Sequence, residues 1–164
     1  MGTRREARER AVQFLFQFDL NPAEDLEAAL SIFWEGRQLQ DLPERERRRL
    51  LEEGLPLPPP SAAEASTRLF AEPLIRGVLR EREVIDEKIR QTVRNWELHR
   101  IAAVDRNILR LAIFEMLHRS DIPPVVSINE AVDIAKKFST EDSGKFVNGI
   151  LDRIRGELPR PARI

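Results

Sequence analysis

An all-α fold is the first expectation from the chain, and three features carry it. Arginine, glutamate, leucine and alanine dominate the composition, a mixture that favours helix over strand. Glycine is scarce, with 7 residues scattered along 164. Apolar residues recur at helical spacing, so that successive ones share a face. The length and the 41% hydrophobic content suffice for one domain, residues 1–164, with its own core.

The first helix is expected from about Thr3 to Asp19, before Asn21-Pro22. At about 100° per residue, Ala7, Ala11, Phe14 and Phe18 share the core side. A second helix runs from about Ala23 to Trp34, with Leu26, Leu30 and Phe33 on one face. Residues 39–66 change character: Pro43, Pro56 and Pro58-Pro59-Pro60 interrupt any apolar stripe, which marks a proline-rich, flexible insertion. Within it, Glu44–Glu53 carries four Arg and four Glu, the composition of a short solvated helix. Pro56-Leu57-Pro58-Pro59 has the form of a polyproline ligand but reads better as a stiff spacer.

Helix resumes from about Ala65 to Asn95, with Pro73 bending it or marking its first turn. The most apolar stretch, Arg100–His118, carries one stripe of Ile101, Val104, Ile108 and Leu111 and another of Leu109, Ala112, Ile113 and Met116. A helix apolar on two sides packs on two sides, so it is taken as the central helix. After Ile122-Pro123-Pro124, Ser127 and Glu130 have capping-box spacing, ahead of a core face of Ile128, Ala131, Val132, Ala135 and Phe138. The last helix starts near Ser139–Asp142 and buries Val147, Ile150, Leu151 and Ile154. Gly144 and Gly149 within it suggest close backbone approach.

Several function classes are excluded at once. With no cysteine there is no disulfide and no thiolate metal site. His99 and His118 lack metal-ligand spacing, so no metal and no cofactor is expected. Charges at Glu6, Arg8, Glu9 and Arg10 interrupt any secretory signal, and no segment is apolar enough to span a bilayer, so the expected location is the cytoplasm. Ser127, His118 and Asp121 include triad residue types without a nucleophile elbow, so no enzymatic activity is expected. A net charge of −1 confines any nucleic-acid site to a local patch.

Two patches fit that description. On the first helix, Arg5, Arg8, Val12 and Phe16 cluster away from the core stripe. Arginine beside an exposed ring suits single-stranded RNA, through phosphate contact and base stacking. Equally, Glu6 with Arg10 and Arg5 with Glu9 have the spacing of a salt-bridged surface. The second patch is Lys145, Phe146 and Asn148 near a helix N-terminus, where backbone N–H groups favour an anion. Gly144-Lys145 lacks the upstream glycine of a phosphate-binding loop, and Phe146 fits ordinary core as well.

Together these residues resemble the NusB family of bacterial antitermination factors. The opening Arg4-Arg5, Ala7-Arg8-Glu9, Ala11-Val12-Gln13 and Leu15-Phe16 resembles its arginine-rich start. Asn95-Trp96, Arg100-Ile101-Ala102, Val104-Asp105-Arg106 and Ile108 to Ala112 resemble its central segment. Ile122-Pro123 with Ile128 to Val132, then Glu141-Asp142-Ser143 with Lys145 to Asp152, continue the match. The resemblance implies two packed three-helix bundles. It implies binding of boxA RNA jointly with NusE, a small-subunit ribosomal protein, in an RNA polymerase elongation complex with other Nus factors. By position it assigns RNA contact to Arg4, Arg5, Arg8, Gln13, Phe16, Asp142, Lys145 and Phe146, and the start of the protein-partner surface to Phe16 and Asp105. Phe16 and Phe114 stand where the family often has tyrosine, and residues 39–66 are longer and richer in proline. Two alternatives stand beside it: a relative of the NusB-like N-terminal domain of RNA cytosine methyltransferases, which continue into a catalytic domain beyond the point where this chain ends, and a helical scaffold that binds only proteins.

Overall fold

The computed structural model describes residues 3–93 and 98–158, apart from the His99 side chain. Eight α-helices and one 3-10 turn make up the regular structure of these residues, with no strand among them. The expected helix end at Asn95 and the Asn95-Trp96 part of the family resemblance lie outside the described residues.

Each helix starts for a local reason. α1 (Arg4–Leu20) is capped by the Thr3 hydroxyl, which accepts from the Glu6 amide at 3.0 Å. α2 (Leu26–Asp41) is capped by Asp25 and runs two turns past the expected end at Trp34. α3 (Glu44–Glu53) follows Pro43 and ends at Gly54, whose φ of 63° is the left-handed conformation glycine adopts without strain. No residue of α3 is buried, as a solvated charge run requires. α4 (Ala62–Arg80) opens with a capping box of Ser61 and Glu64, three residues before the expected start.

The insertion expected at 39–66 is therefore helical at both ends, and its proline run lies beside α2, where the Gln38 amide donates to the Pro58 carbonyl. Pro73 sits inside α4 without ending it. Both Pro73 and Leu69, whose carbonyl loses its partner, face solvent. The long helix expected from 65 to 95 divides at Glu81 into α4 and α5 (Arg82–Thr92).

A 3-10 turn, Leu98–Arg100, leads into α6 (Ala103–His118), then α7 (Pro124–Phe138) and α8 (Glu141–Glu157). The capping box expected at Ser127 is corrected: α7 starts a turn earlier with Pro124 at its first position. Ser127 lies inside the helix, buried, and donates to Glu115.

α6 is the centre. α1, α4 and α6 pack mutually, as do α6, α7 and α8, so the two three-helix groups share one helix. Ten of the residues of α6 are buried, which is why its sequence shows two apolar stripes. Gly77 makes the α4–α6 approach possible: a Cβ there would lie 2.0 Å from the Phe114 ring.

Charge also enters this core. Arg8 on α1 donates through Nη2 to Glu115 on α6 at 2.7 Å, with side chains only 4% and 1% exposed. This breaks the expected exposed stripe on α1, of which Arg5 stays exposed and Phe16 is half-buried. Arg8 and Val12 are both buried, because they face Ile108 and Glu115 of α6 and Ser127, Ala131 and Ile134 of α7, so the inward face of α1 is wider than the Ala7-Phe14 stripe alone. At the other end of α1, Asp19 accepts from Arg106 at 2.6 Å, Arg82 at 2.9 Å and Asn107 at 3.1 Å. Arg110, 3.0 Å from Asp19, carries the network to buried Asp86 at 2.8 Å. Burial alone would raise the Asp19 pKa, but hydrogen bonds from Arg106 and Asn107 and the charges of Arg110 and Arg106 outweigh it and hold the carboxyl below its ordinary value.

Three outcomes are expected. Glu115→Ala strands the Arg8 charge in the core and should cost about 3–5 kcal/mol in urea unfolding; a loss below 1 kcal/mol would show that water reaches Arg8. Because Asp19 is depressed, its stabilisation is complete above the unfolded-state value of 3.8 and is lost as pH falls through the lower folded value. Asp19→Asn should accordingly lower the urea midpoint near neutral pH and flatten its decline in acid. Replacing Pro43–Gly54 by a short flexible spacer should leave the melting temperature nearly unchanged, since α3 buries nothing.

Candidate nucleic-acid interface

Arg4 and Arg5 open α1, and consecutive helical residues leave the axis about 100° apart. Arg5 turns to α7, where Nε and Nη2 meet the Glu130 carboxylate at 2.8 and 3.0 Å and Nη2 meets Asp133 at 2.8 Å. The Glu130 hydrogen bond and its charge raise the Arg5 pKa; the same bond holds Glu130 below the usual carboxylate range against its partial burial. The Arg5 side chain remains 50% exposed. A phosphate reaching Arg5 must therefore displace or share it with two carboxylates. Arg4 is exposed and turns instead toward Phe70 on α4.

One turn further along α1, Glu9 pairs with Lys137 at 3.0 Å. Arg5 meets Glu130 and Asp133, and Glu9 meets Lys137, so α1 and α7 run side by side in the same direction. The expected Arg5–Glu9 pair does not form; the expected Glu6–Arg10 pair does, at 3.5 Å. Beyond Glu9 come Gln13, half-buried and accepting from Arg10 at 3.3 Å, and Phe16, also half-buried. That row leads toward the end of α7, where the chain turns into α8.

The α8 start is held by a small hydroxyl cluster. Thr140 caps it by accepting from the Ser143 amide at 3.0 Å, and Ser139 and Ser143 hydroxyls lie 2.8 Å apart. Ser143 also donates to Asp105 on α6 at 3.0 Å. Gly144 lies against the Lys136 side chain, whose Cγ would be 2.9 Å from a Cβ; Gly149 has open space instead. Asp142 and Lys145 are exposed and Phe146 is half-buried, packed against the core edge.

Two assigned residues are placed differently from expectation. Arg8, expected as an RNA contact, is committed to Glu115 in the interior. Asp105, expected at the edge of the partner surface, is 6% exposed. Its Oδ1 is buried without a hydrogen-bond partner, and burial pushes its pKa up while the Ser143 bond lowers it. It positions α8 rather than presenting a surface. Sequence reasoning took Glu130 for a cap and missed it and Asp133 as partners of Arg5; it also missed the pair Lys136-Lys137, for which the basic last turn of α7 was the available signal. No group of His, Cys, Asp and Glu among the described residues could hold a metal ion, and no helix there is long and apolar enough to cross a membrane.

Comparison with known proteins agrees with this architecture. The model of the NusB family matches residues 5–155. The transcription antitermination protein NusB of Methylacidiphilum infernorum is 42% identical over 162 residues, covering 99% of this chain and 96% of the relative. That of Geobacter sulfurreducens is 43% identical over 159 residues, covering 97% and 98%. Among solved structures, T. maritima NusB superposes with a TM-score of 0.69 at 39% identity, covering 96% of this chain and 94% of that one. The crystal structure of NusB and NusE in complex with dsRNA matches at 0.65 and 25% identity, covering 94% and 97%. The matched family span, the ordered sequence motifs and the helical architecture agree: this chain belongs to the NusB family.

Proposed function

We propose that this protein is a non-enzymatic transcription antitermination factor. It binds boxA-type single-stranded nascent RNA jointly with NusE and acts in the cytoplasm on the RNA polymerase elongation complex with other Nus factors, suppressing termination and supporting ribosomal RNA synthesis. The observation that carries this is the match, over nearly the whole chain, to a family member solved with both NusE and RNA. The relatives carry the antitermination name and match over 96% and 98% of their own lengths, which supports antitermination over RNA methylation.

Exposed Arg5 and Lys145 are the phosphate ligands beside α7 and α8 on this proposal, Arg4 is a further phosphate ligand on the α4 side of α1, and the half-buried rings of Phe16 and Phe146 are stacking surfaces. Gln13 and Asp142 flank them, and Phe16 also borders the NusE side. Arg8 is left out because its charge is spent on Glu115.

Arg5→Ala should weaken RNA binding and reduce the slope of log affinity against log salt by about 0.7, without loss of helicity. An unchanged slope would remove Arg5 from the interface. Phe146→Leu, which keeps the apolar volume, should weaken binding by about 1–3 kcal/mol if the ring stacks a base; wild-type affinity would leave Phe146 a core residue only. The surface near α1 and α8 offers few uncompensated charges, so a partner should share the RNA. An RNA titration at one salt concentration, with and without NusE, should show coupling of about 1–3 kcal/mol, roughly 5–150-fold. Equal affinities would overturn joint recognition.

A further inference from the structure

Arg5 accounts for one side of the α1 N-terminus; the other side carries a separate cluster. The Arg4 guanidinium carbon lies 5.0 Å from the centre of the Phe70 ring on α4. Arg8 and Arg119, the latter just past the end of α6, each lie 5.4 Å from that same centre. Two parts of the chain, the start of α1 and the end of α6, thus deliver three cations to one half-buried ring. Two of the charges are answered. Arg8 has Glu115 at 2.7 Å, and Arg119 meets Asp121 through two bonds of 2.9 Å. Arg4 has no ion pair among the described residues and is exposed. Three arginines against two carboxylates leave one positive charge beside a half-buried aromatic ring.

We propose that Phe70, Arg4 and Arg119 form a second nucleotide site. A base of single-stranded RNA stacks on Phe70 in place of the Arg4 guanidinium, while Arg4 and Arg119 turn to the neighbouring phosphates. The site rests on the RNA-binding function proposed for the α1–α8 surface and extends it around the N-terminus of α1. A solvent-exposed guanidinium such as that of Arg4 is held over a ring more weakly than a stacked base, so the exchange is favourable. Helix packing alone would need the apolar bulk of Phe70 but not a ring of cations around it. Arg4 and Phe16 are twelve residues apart on α1, about 18 Å along the axis. The second site therefore takes nucleotides that flank the stretch held near α8.

The test compares two RNAs, a minimal boxA element and the same element extended by uridines on its 5′ or 3′ side. Wild-type protein should bind one extended RNA more tightly than the minimal one. Phe70→Leu, which keeps apolar volume, should lose that gain, a fall of roughly 5–150-fold on the extended RNA, and leave the minimal RNA unaffected. Arg119→Gln, with a side chain already 25% exposed, should lower the salt slope by about 0.7 for the extended RNA only. Melting temperatures accompany both variants; if Phe70→Leu does not fold, Arg119→Gln decides alone. No gain from either extension, or equal losses on both RNAs, would overturn the second site while leaving the first intact. Failure of wild-type protein to bind either RNA would overturn both.

Discussion

The pair between Arg8 and Glu115 sets the geometry on which the surface depends. A carboxylate 1% exposed on the central helix has no water to solvate it, and a lone buried charge is costly. Arg8 answers it, with Ser127 of α7 supplying a further hydrogen bond. Three helices thereby meet at one carboxylate, and the rotation of α1 about its axis is settled. Once Arg8 points inward, the 100° step of the helix sends Arg5 toward α7 and Arg4 toward α4. The directions of the N-terminal arginines are thus a consequence of a buried bond one turn away.

The resulting surface is charged but largely matched. Arg5 lies between Glu130 and Asp133, and Lys137 lies on Glu9. This explains how a chain of net charge −1 can present an arginine-rich helix. Phosphate binding at such a surface is an exchange of carboxylate partners as well as a gain of new ones. Exchange yields less free energy than contact with an unpaired cation, but it selects for strands whose phosphates and bases meet all partners together. Ordering of the α8 start by Ser143, Thr140 and Asp105 adds to the same selectivity, since a fixed helix terminus holds Lys145 and Phe146 in one arrangement.

Much of the helical architecture was legible from periodicity. The two apolar stripes of residues 100–118 marked a helix packed on both sides, and α6 is that helix. Core positions such as Ala7, Ala11, Phe14, Val147 and Leu151 follow from spacing of three and four, because burial needs only a consistent face. Boundaries were less legible. Glu81 interrupts the α4–α5 segment without proline or glycine, so no local residue type announces the break. Ser127 and Glu130 have the spacing of a capping box, yet Pro124 starts α7 earlier and both side chains are used across helices instead.

Local sequence determined the helices, most of their inward faces and the concentration of arginine at the start of α1, since propensity and periodicity act within a few residues. Which arginine faces solvent was decided only by tertiary structure. Arg4, Arg5 and Arg8 are chemically equivalent along the chain, and Glu115, Glu130 and Asp133 lie more than a hundred residues away from Arg5 and Arg8. The physical reason is that a charge is buried or exposed according to its partner. For these three arginines the partners come from other helices, so the sequence pattern of α1 alone cannot distinguish a structural cation from a ligand-binding one.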